Sequence, residues 1–147
     1  MDCLADTNVL VRTIDRLHSH YPIALKALDH ILRNGGHVYI AAQNLIEFWY
    51  VCTRPFNRNG LGLSTSEAEK EMAQLEAFLL RLPEVPAIFP EWRRLVTAHA
   101  VSGVGVFDAR FVAVMHVRQG YRSGVILRRG AGSQHGPTGS FKDDCKS

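Results

Sequence analysis

The chain has 147 residues, 46% of them hydrophobic, a length and composition that suit one domain. Its sequence contains no apolar run near the roughly 20 residues that a membrane-spanning helix needs. Acidic Asp2 and Asp6 near the N-terminus argue against an export signal, and three cysteines without a CxxC pair argue against a disulfide framework or a zinc site, so we expect a cytoplasmic protein. The net charge of +3 permits an anionic partner such as RNA without requiring one.

The first half of the chain alternates short apolar strands with helices. Pro22 suits the first turn of a helix whose apolar side chains recur at i, i+3 and i+4 spacing. Asn44 can cap a second helix, and Pro55 stops it. The predicted elements are a strand at 3–5, a helix from Tyr21 to Gly35-Gly36, a strand at 37–41 and a helix from Asn44 to about Thr53.

The second half continues the alternation. Ser64 with Glu67, or Ser66 with Glu69, is typical of a capping box at a helix start. The helix that follows is expected to end at Pro83 and to carry one apolar face, formed by Met72, Leu75, Phe78, Leu79 and Leu82. The later predicted elements are a strand at 86–89, a helix from Glu91 to Val101, a helix that Asp108 opens and Gly120 ends, and a strand at 125–127.

This alternation predicts an α/β domain with a mainly parallel sheet flanked by helices, spanning residues 1–127. The composition changes abruptly after Leu127. Residues 128–147 are rich in Gly, Ser, Arg and Lys, and Ala131 and Phe141 are nearly their only apolar side chains. Such a segment cannot bury enough apolar surface to order itself, so we predict a disordered polar tail.

Three carboxylates stand out because apolar residues flank them in the sequence: Asp6, Glu47 and Asp108. An ionised group in apolar surroundings is costly unless it is paired, hydrogen-bonded or bound to a metal. Mg²⁺ and Mn²⁺ prefer oxygen ligands and can gather carboxylates from separate elements. A bound ion of this kind makes a nucleophile from water and stabilises charge on a phosphodiester. The three acids together therefore indicate a metal site.

Each acid also has a structural explanation. Asp6 and Asp108 could be helix N-caps, and Glu47 could be the partner of an arginine. The chain also carries arginines that could contact RNA phosphates or could simply be solvated, namely Arg54, Arg58, Arg93, Arg94 and Arg110. Taken singly, the acids leave both explanations open, and their combination in one α/β domain favours a shared site.

Three segments resemble the PIN-domain family, and in particular the VapC-type toxin ribonucleases of bacterial toxin–antitoxin systems. They are residues 6–10 (Asp-Thr-Asn-Val-Leu), residues 44–47 (Asn-Leu-Ile-Glu) and residues 108–113 (Asp-Ala-Arg-Phe-Val-Ala), the last of which follows a glycine loop. Their order and spacing match the family, and the resemblance covers Met1 to Leu127. The combination of the three is more specific than any one of them.

The resemblance implies a Rossmann-like α/β/α fold and cleavage of RNA by a metal-dependent endonuclease. It implies that Asp6, Glu47 and Asp108 are catalytic residues that bind Mg²⁺ or Mn²⁺, with Thr7 and Asn8 as supporting residues around Asp6. It also implies a cognate antitoxin that blocks the site, and a homodimer.

The chain departs from the family after the strand at 125–127. There the family continues with a Thr-x-Asn-x-x-Asp-like segment that supplies a fourth acid, whereas this chain has Arg128-Arg129-Gly130-Ala131-Gly132 and later only Asp143 and Asp144. We interpret this ending as a replacement caused by a shifted reading frame, which the other frames of the gene would reveal. Loss of one ligand predicts weaker metal binding and reduced activity. The alternative function is a catalytically impaired PIN domain that mainly binds an antitoxin or dimerises.

Overall fold

The structure, a computed structural model, describes residues 2–118 and 124–127. Its strands and helices alternate along the chain, as the sequence predicts. The strands are β1 (Asp2–Ala5), β2 (Val38–Ile40), β3 (Leu80–Arg81) and β4 (Gly124–Leu127). The helices are α1 (Thr7–Arg12), α2 (Tyr21–Arg33), α3 (Ala42–Thr53), α4 (Thr65–Phe78), α5 (Ile88–Ala98) and α6 (Gly105–Val117).

The four strands form one parallel sheet in the order β3-β2-β1-β4. Cys3 pairs in register with Val38 on one side and with Val125 on the other. The chain therefore builds outward from β1 to β3 and then returns to the opposite side of β1. This reversal of strand order lies between β1 and β4, and in open parallel sheets the crevice at such a point, beyond the carboxyl ends of the strands, is where ligands bind.

Helices cover both faces of the sheet, which confirms the predicted α/β/α architecture. Alternate residues of a strand point to opposite faces. Cys3 and Ala5 belong to a core shared with α1 to α4, whereas Leu4 belongs to a core shared with α5 and α6. Phe48 of α3 is the largest side chain that is fully buried among the described residues, and it lies in the first of these two cores.

Several predicted elements are confirmed. The strand at 3–5, the helix from Tyr21 and the strand at 37–41 are observed as β1, α2 and β2, with boundaries that differ by at most about two residues. Pro22 lies in the first turn of α2, where its missing N–H costs no helical hydrogen bond. The capping box at the start of α4 uses the first of the two predicted pairs, Ser64 with Glu67.

Three predictions between α4 and α6 are wrong. Helix α4 ends at Phe78, so Leu82 is not on its apolar face and Pro83 does not close it. The Leu82 N–H donates to the Ile40 carbonyl oxygen at 2.8 Å. This segment therefore pairs with β2 instead of continuing helix α4, although its apolar residues recur at helical spacing. The predicted strand at 86–89 does not form, because helix α5 already begins at Ile88. That helix ends at Ala98 rather than at Val101.

Proline placement is compatible with the early start of α5. Pro90 is the third residue of the helix, where a proline ring is tolerated because the N–H of that position has no helical acceptor. Phe89 packs against Trp92, about one helical turn further along α5, with ring centroids 5.5 Å apart. Phe89, whose aromatic side chain favours a strand when considered alone, therefore lies in the first turn of helix α5.

Removal of the Ser64 hydroxyl should destabilise the protein by about 1 kcal/mol. The hydroxyl accepts from the Glu67 N–H at 3.2 Å, and the Glu67 carboxylate accepts from the Ser64 N–H at 2.8 Å. We expect Ser64→Ala to lower the free energy of unfolding measured in urea. Ser66→Ala is the matched control, since Ser66 lies inside α4 and should change stability much less. Equal losses in the two variants would contradict the assignment of the cap.

The predictions for the polar tail at 128–147 and for Gly120 fall outside the described residues. The same holds for the interpretation of the tail as a product of a shifted reading frame. Strand β4 confirms the prediction at 125–127 and extends it by one residue to Gly124. Within residues 2–118 and 124–127, no helix is long and apolar enough to cross a membrane.

Candidate functional site

Asp6 lies directly after β1, at the carboxyl edge of the sheet and beside the reversal of strand order. It occupies the N-cap position of α1, where its backbone carbonyl oxygen accepts from the N–H groups of Val9 at 2.9 Å and Leu10 at 3.3 Å. Its carboxylate makes no capping hydrogen bond, but Asp6 Oδ2 accepts from Asn8 Nδ2 at 3.4 Å. Helix capping therefore accounts for the backbone of Asp6 and does not account for its carboxylate.

Thr7 connects Asp6 to the second predicted acid. The Thr7 hydroxyl donates to Glu47 Oε2 at 2.7 Å and accepts from Asn44 Nδ2 at 3.3 Å. Thr7 is buried and Asn44 is fully buried. A buried polar group is costly unless it is hydrogen-bonded, so these bonds strongly constrain how the start of α1 packs on α3. The structure thus brings Glu47 against the residue that follows Asp6.

Asn44 has a different role from the predicted one. Helix α3 begins at Ala42, so the N-cap is Ala41, and Asn44 is the third helical residue. Its side-chain Oδ1 accepts from the Ala41 N–H at 2.7 Å, which satisfies a donor of the helix start from inside the helix. The prediction that Asn44 is the N-cap is wrong by three positions. The Asn44 side chain therefore binds the backbone between β2 and α3 through its oxygen, and orients the Thr7 hydroxyl through its nitrogen.

The second carboxylate oxygen of Glu47 is held from within α3. Gln43 Nε2 donates to Glu47 Oε1 at 2.7 Å, and Gln43 Oε1 accepts from Arg110 Nη1 of α6 at 3.2 Å. Arg110 also donates through Nη2 to Glu84 Oε2 at 2.7 Å. The alternative in which Glu47 pairs with an arginine is therefore replaced by an indirect link, with the Gln43 amide between the two charges.

Asp108 lies in the first turn of α6 rather than at its N-cap. The helix begins at Gly105, so Asp108 is its fourth residue, and the prediction that this acid opens the helix is wrong. Its side chain is exposed, so the desolvation cost inferred from its apolar neighbours in the sequence does not apply to it. A negative charge in a first helical turn is favoured by the helix dipole. The start of α6 is held on α5 by a hydrogen bond from Trp92 Nε1 to the Val106 carbonyl oxygen at 2.9 Å.

The site offers oxygen donors to a metal ion. The carboxylates of Asp6 and Glu47 and the hydroxyl of Thr7 are the kinds of ligand that Mg²⁺ and Mn²⁺ prefer, so the donor set fits such an ion in its chemistry. Within the part of the chain that the structure describes, no group of three or more His, Cys, Asp or Glu side chains is close enough together to hold an ion. Metal binding by Asp6, Glu47 and Asp108 stays a prediction.

Sequence reasoning gave Gln43 and Glu84 no role near Glu47. It named Asn44 only as a helix cap within a segment that resembles the family, and Arg110 only as an arginine that could contact RNA phosphates. Gln43 precedes Glu47 by four residues, and side chains at that spacing are neighbours on a helix surface. That spacing could have predicted the Gln43–Glu47 contact. The contacts of Arg110 with Gln43 and Glu84 join residues 67 and 26 positions apart, and no local pattern predicts them.

Cys52 belongs to the core of the domain. It is fully buried on α3, and burial raises the pKa of its thiol to about 12, with a smaller contribution from the charge of Glu71. A thiol with so high a pKa carries almost no thiolate at neutral pH, and the thiolate is the nucleophilic form. Cys52 is therefore a core residue rather than a nucleophile.

Comparisons with known proteins agree on the fold. The family model described as "PIN domain" matches residues 3–120. The chain is also similar to a chain in the crystal structure of VapBC2 from Rickettsia felis bound to a DNA fragment from their promoter. That similarity has a TM-score of 0.56 and 12% sequence identity, and covers 81% of this chain and 83% of the other. No curated protein matches the chain.

Proposed function

This chain belongs to the PIN-domain family, and from that premise we propose that it is a toxin of a toxin–antitoxin pair and acts as a metal-dependent endoribonuclease. The observation that carries the proposal is the hydrogen bond between Thr7 and Glu47, which unites two acidic segments at the carboxyl edge of the sheet. This edge, beside the reversal of strand order, is where parallel α/β sheets bind ligands. PIN domains are generally nucleases, and RNA is the substrate that we propose.

We propose a cognate antitoxin and a second copy of this chain as protein partners, in the cytoplasm. The similarity in fold to a chain of a VapBC complex supports a protein antitoxin. Asp6, Glu47 and Asp108 would hold Mg²⁺ or Mn²⁺, with Thr7 and Asn8 as supporting residues. The fourth acid of the family is missing from its usual place, so we expect metal binding to be weaker and activity lower than with four carboxylates.

When bound, the ion would lower the pKa of a water molecule and stabilise negative charge on the phosphodiester. The chain's own groups would orient the reaction. Thr7 and Gln43 each donate to one oxygen of Glu47, which fixes the plane of that carboxylate and leaves further lone pairs on both oxygens. Glu47 can therefore accept a hydrogen bond, and then a proton, from the attacking water. The water oxygen would bond to phosphorus as the P–O bond to the leaving ribose oxygen breaks, and that oxygen would take up a proton from solvent.

Removal of divalent metal should abolish cleavage. We expect a labelled RNA to be cut in the presence of Mg²⁺ or Mn²⁺, to stay intact with excess EDTA, and to be cut again after either ion is restored. The measurement is the rate of fragment formation on a denaturing gel. An Asp6→Asn preparation purified in parallel reports any contaminating nuclease, because contamination would cut RNA equally in both samples.

Cleavage that resists EDTA would contradict the proposal. No cleavage, together with tight binding of the cognate antitoxin, would support the impaired binding module instead.

A further inference from the structure

A chain of hydrogen bonds runs from a cation on α6 to the Glu47 carboxylate on α3. Arg110 Nη1 donates to Gln43 Oε1 at 3.2 Å, and Gln43 Nε2 donates to Glu47 Oε1 at 2.7 Å. All three side chains are partly buried. The proposed mechanism uses Glu47 directly and the Gln43 contact with it, and leaves Arg110 without a role.

The donors and acceptors of these hydrogen bonds allow only one orientation of the Gln43 side-chain amide. A guanidinium has donors and no acceptor, so Arg110 can bind only the oxygen of the amide. The amide nitrogen must then face Glu47, where it meets a carboxylate acceptor. The reversed amide would place an oxygen against the Glu47 carboxylate and a nitrogen against the guanidinium, which loses both bonds. Arg110 and Glu47 therefore select the same orientation of the Gln43 amide, and the bond from Arg110 holds the amide in it.

Arg110 is itself held in place. Its Nη2 donates to Glu84 Oε2 at 2.7 Å, in the segment between β3 and α5. Arg110 also follows Asp108 by two residues on α6. The contact with Gln43 thus ties the helix that carries Asp108 to the helix that carries Glu47. Catalytic constellations need such second-layer hydrogen bonds, because a misplacement of about 1 Å can cost on the order of 10²-fold in rate.

We propose that Gln43 and Arg110 are positioning residues for RNA hydrolysis: Arg110 fixes the amide of Gln43, and Gln43 holds the Glu47 carboxylate in its reactive orientation. This inference rests on the proposed function. Thr7 constrains one oxygen of Glu47, and the Arg110–Gln43 relay constrains the other. In this proposal both residues act on the reaction through Glu47 rather than by contact with the RNA.

Kinetics of RNA cleavage test the relay. We expect Gln43→Leu and Arg110→Ala each to lower kcat about 10- to 100-fold, the usual range for loss of an outer-layer partner, while KM for RNA and the thermal midpoint stay near those of the wild type. The double variant should be no slower than either single variant, since both break the same relay. Arg110→Lys should recover part of kcat because an ammonium group can still donate to the Gln43 amide oxygen. Arg33→Ala is the control, since Arg33 pairs with Asp29 on the outside of α2. Unchanged kcat in Arg110→Ala, or additive losses in the double variant, would overturn the inference.

An NMR measurement on the protein without metal gives a readout that needs no activity. In the wild type the Gln43 side-chain N–H₂ protons should exchange slowly with solvent, and the Glu47 carboxyl carbon should give one sharp signal. Arg110→Ala should speed that exchange and shift the Glu47 signal, whereas Arg33→Ala should change neither. Unchanged signals in Arg110→Ala would overturn the relay. If the wild type does not cleave RNA, the proposed function fails, and these signals still decide whether Arg110 orients Gln43 and Glu47.

Discussion

The Asp6→Asn variant is expected to lose RNA cleavage by about 10²- to 10⁴-fold, which is the size of contribution that a positioned catalytic acid or base makes. Asn is nearly isosteric with Asp, so the α1 N-cap position and the contact with Asn8 can persist while the negative charge disappears. A neutral amide is a poorer ligand for Mg²⁺ or Mn²⁺ than a carboxylate. The measurement is kcat/KM on one RNA substrate at saturating metal, with thermal unfolding to confirm the fold.

Asp29→Asn is the matched control for this prediction. Asp29 is an exposed carboxylate on α2 that pairs with Arg33, and its substitution removes the same charge far from the carboxyl edge of the sheet. We expect that variant to cleave at the wild-type rate. Equal activity of Asp6→Asn and the wild type would remove Asp6 from the site and, with it, the basis of the proposed mechanism.

Phe48→Ala is expected to destabilise the protein by about 3–5 kcal/mol. Phe48 is fully buried on α3 within the core formed with α1, α2 and α4, where truncation to Ala leaves a cavity that close-packed neighbours cannot refill. A loss of this size is a large fraction of the stability of a typical domain. Urea unfolding monitored by circular dichroism measures it.

Phe78→Ala compares the same chemical change at an exposed position. Phe78 ends α4 and is 74% exposed, so we expect its truncation to change the free energy of unfolding by less than about 1 kcal/mol. The difference between the two variants reports burial rather than residue type. Similar losses for Phe48→Ala and Phe78→Ala would show that the core does not centre on α3.

Phe48 also links stability to the site. It follows Glu47 on α3, so the helix that the core anchors through Phe48 is the one that presents Glu47 to Thr7. Phe48→Ala should loosen α3 and therefore reduce the rate of RNA cleavage even at temperatures below the unfolding midpoint of the variant. Activity measured at temperatures where Phe48→Ala is still folded would detect this loss.

Local signals in the sequence predict the elements whose residues satisfy their needs locally. Ser64 and Glu67 complete each other's hydrogen bonds within one turn, and Pro22 suits a first turn regardless of what lies beyond it. Strand β1 is predicted because three consecutive apolar residues end at a carboxylate. In these cases the physical cause lies within about four residues, so the pattern alone is sufficient.

Predictions are wrong where a distant partner decides. Leu82 continues the apolar period of α4, yet sheet pairing with Ile40 draws the chain out of the helix at Leu79. Asp108 looks like an N-cap after a glycine loop, but α6 begins at Gly105 and Trp92 of α5 binds the Val106 carbonyl oxygen. Long-range hydrogen bonds and packing override local preference at both places.

The sequence by itself determined the family and the α/β alternation, and it singled out Asp6, Glu47 and Asp108 as the candidate acids, because these follow from residue types and short spacings. Only the tertiary structure decided how the surroundings of Glu47 are built. The bonds from Thr7 and from Arg110 through Gln43 join residues 37 to 67 positions apart along the chain. Such contacts form only because the parallel sheet brings the carboxyl ends of its strands to one edge. The sequence could not predict them, since no local pattern of residues specifies which distant side chains meet there.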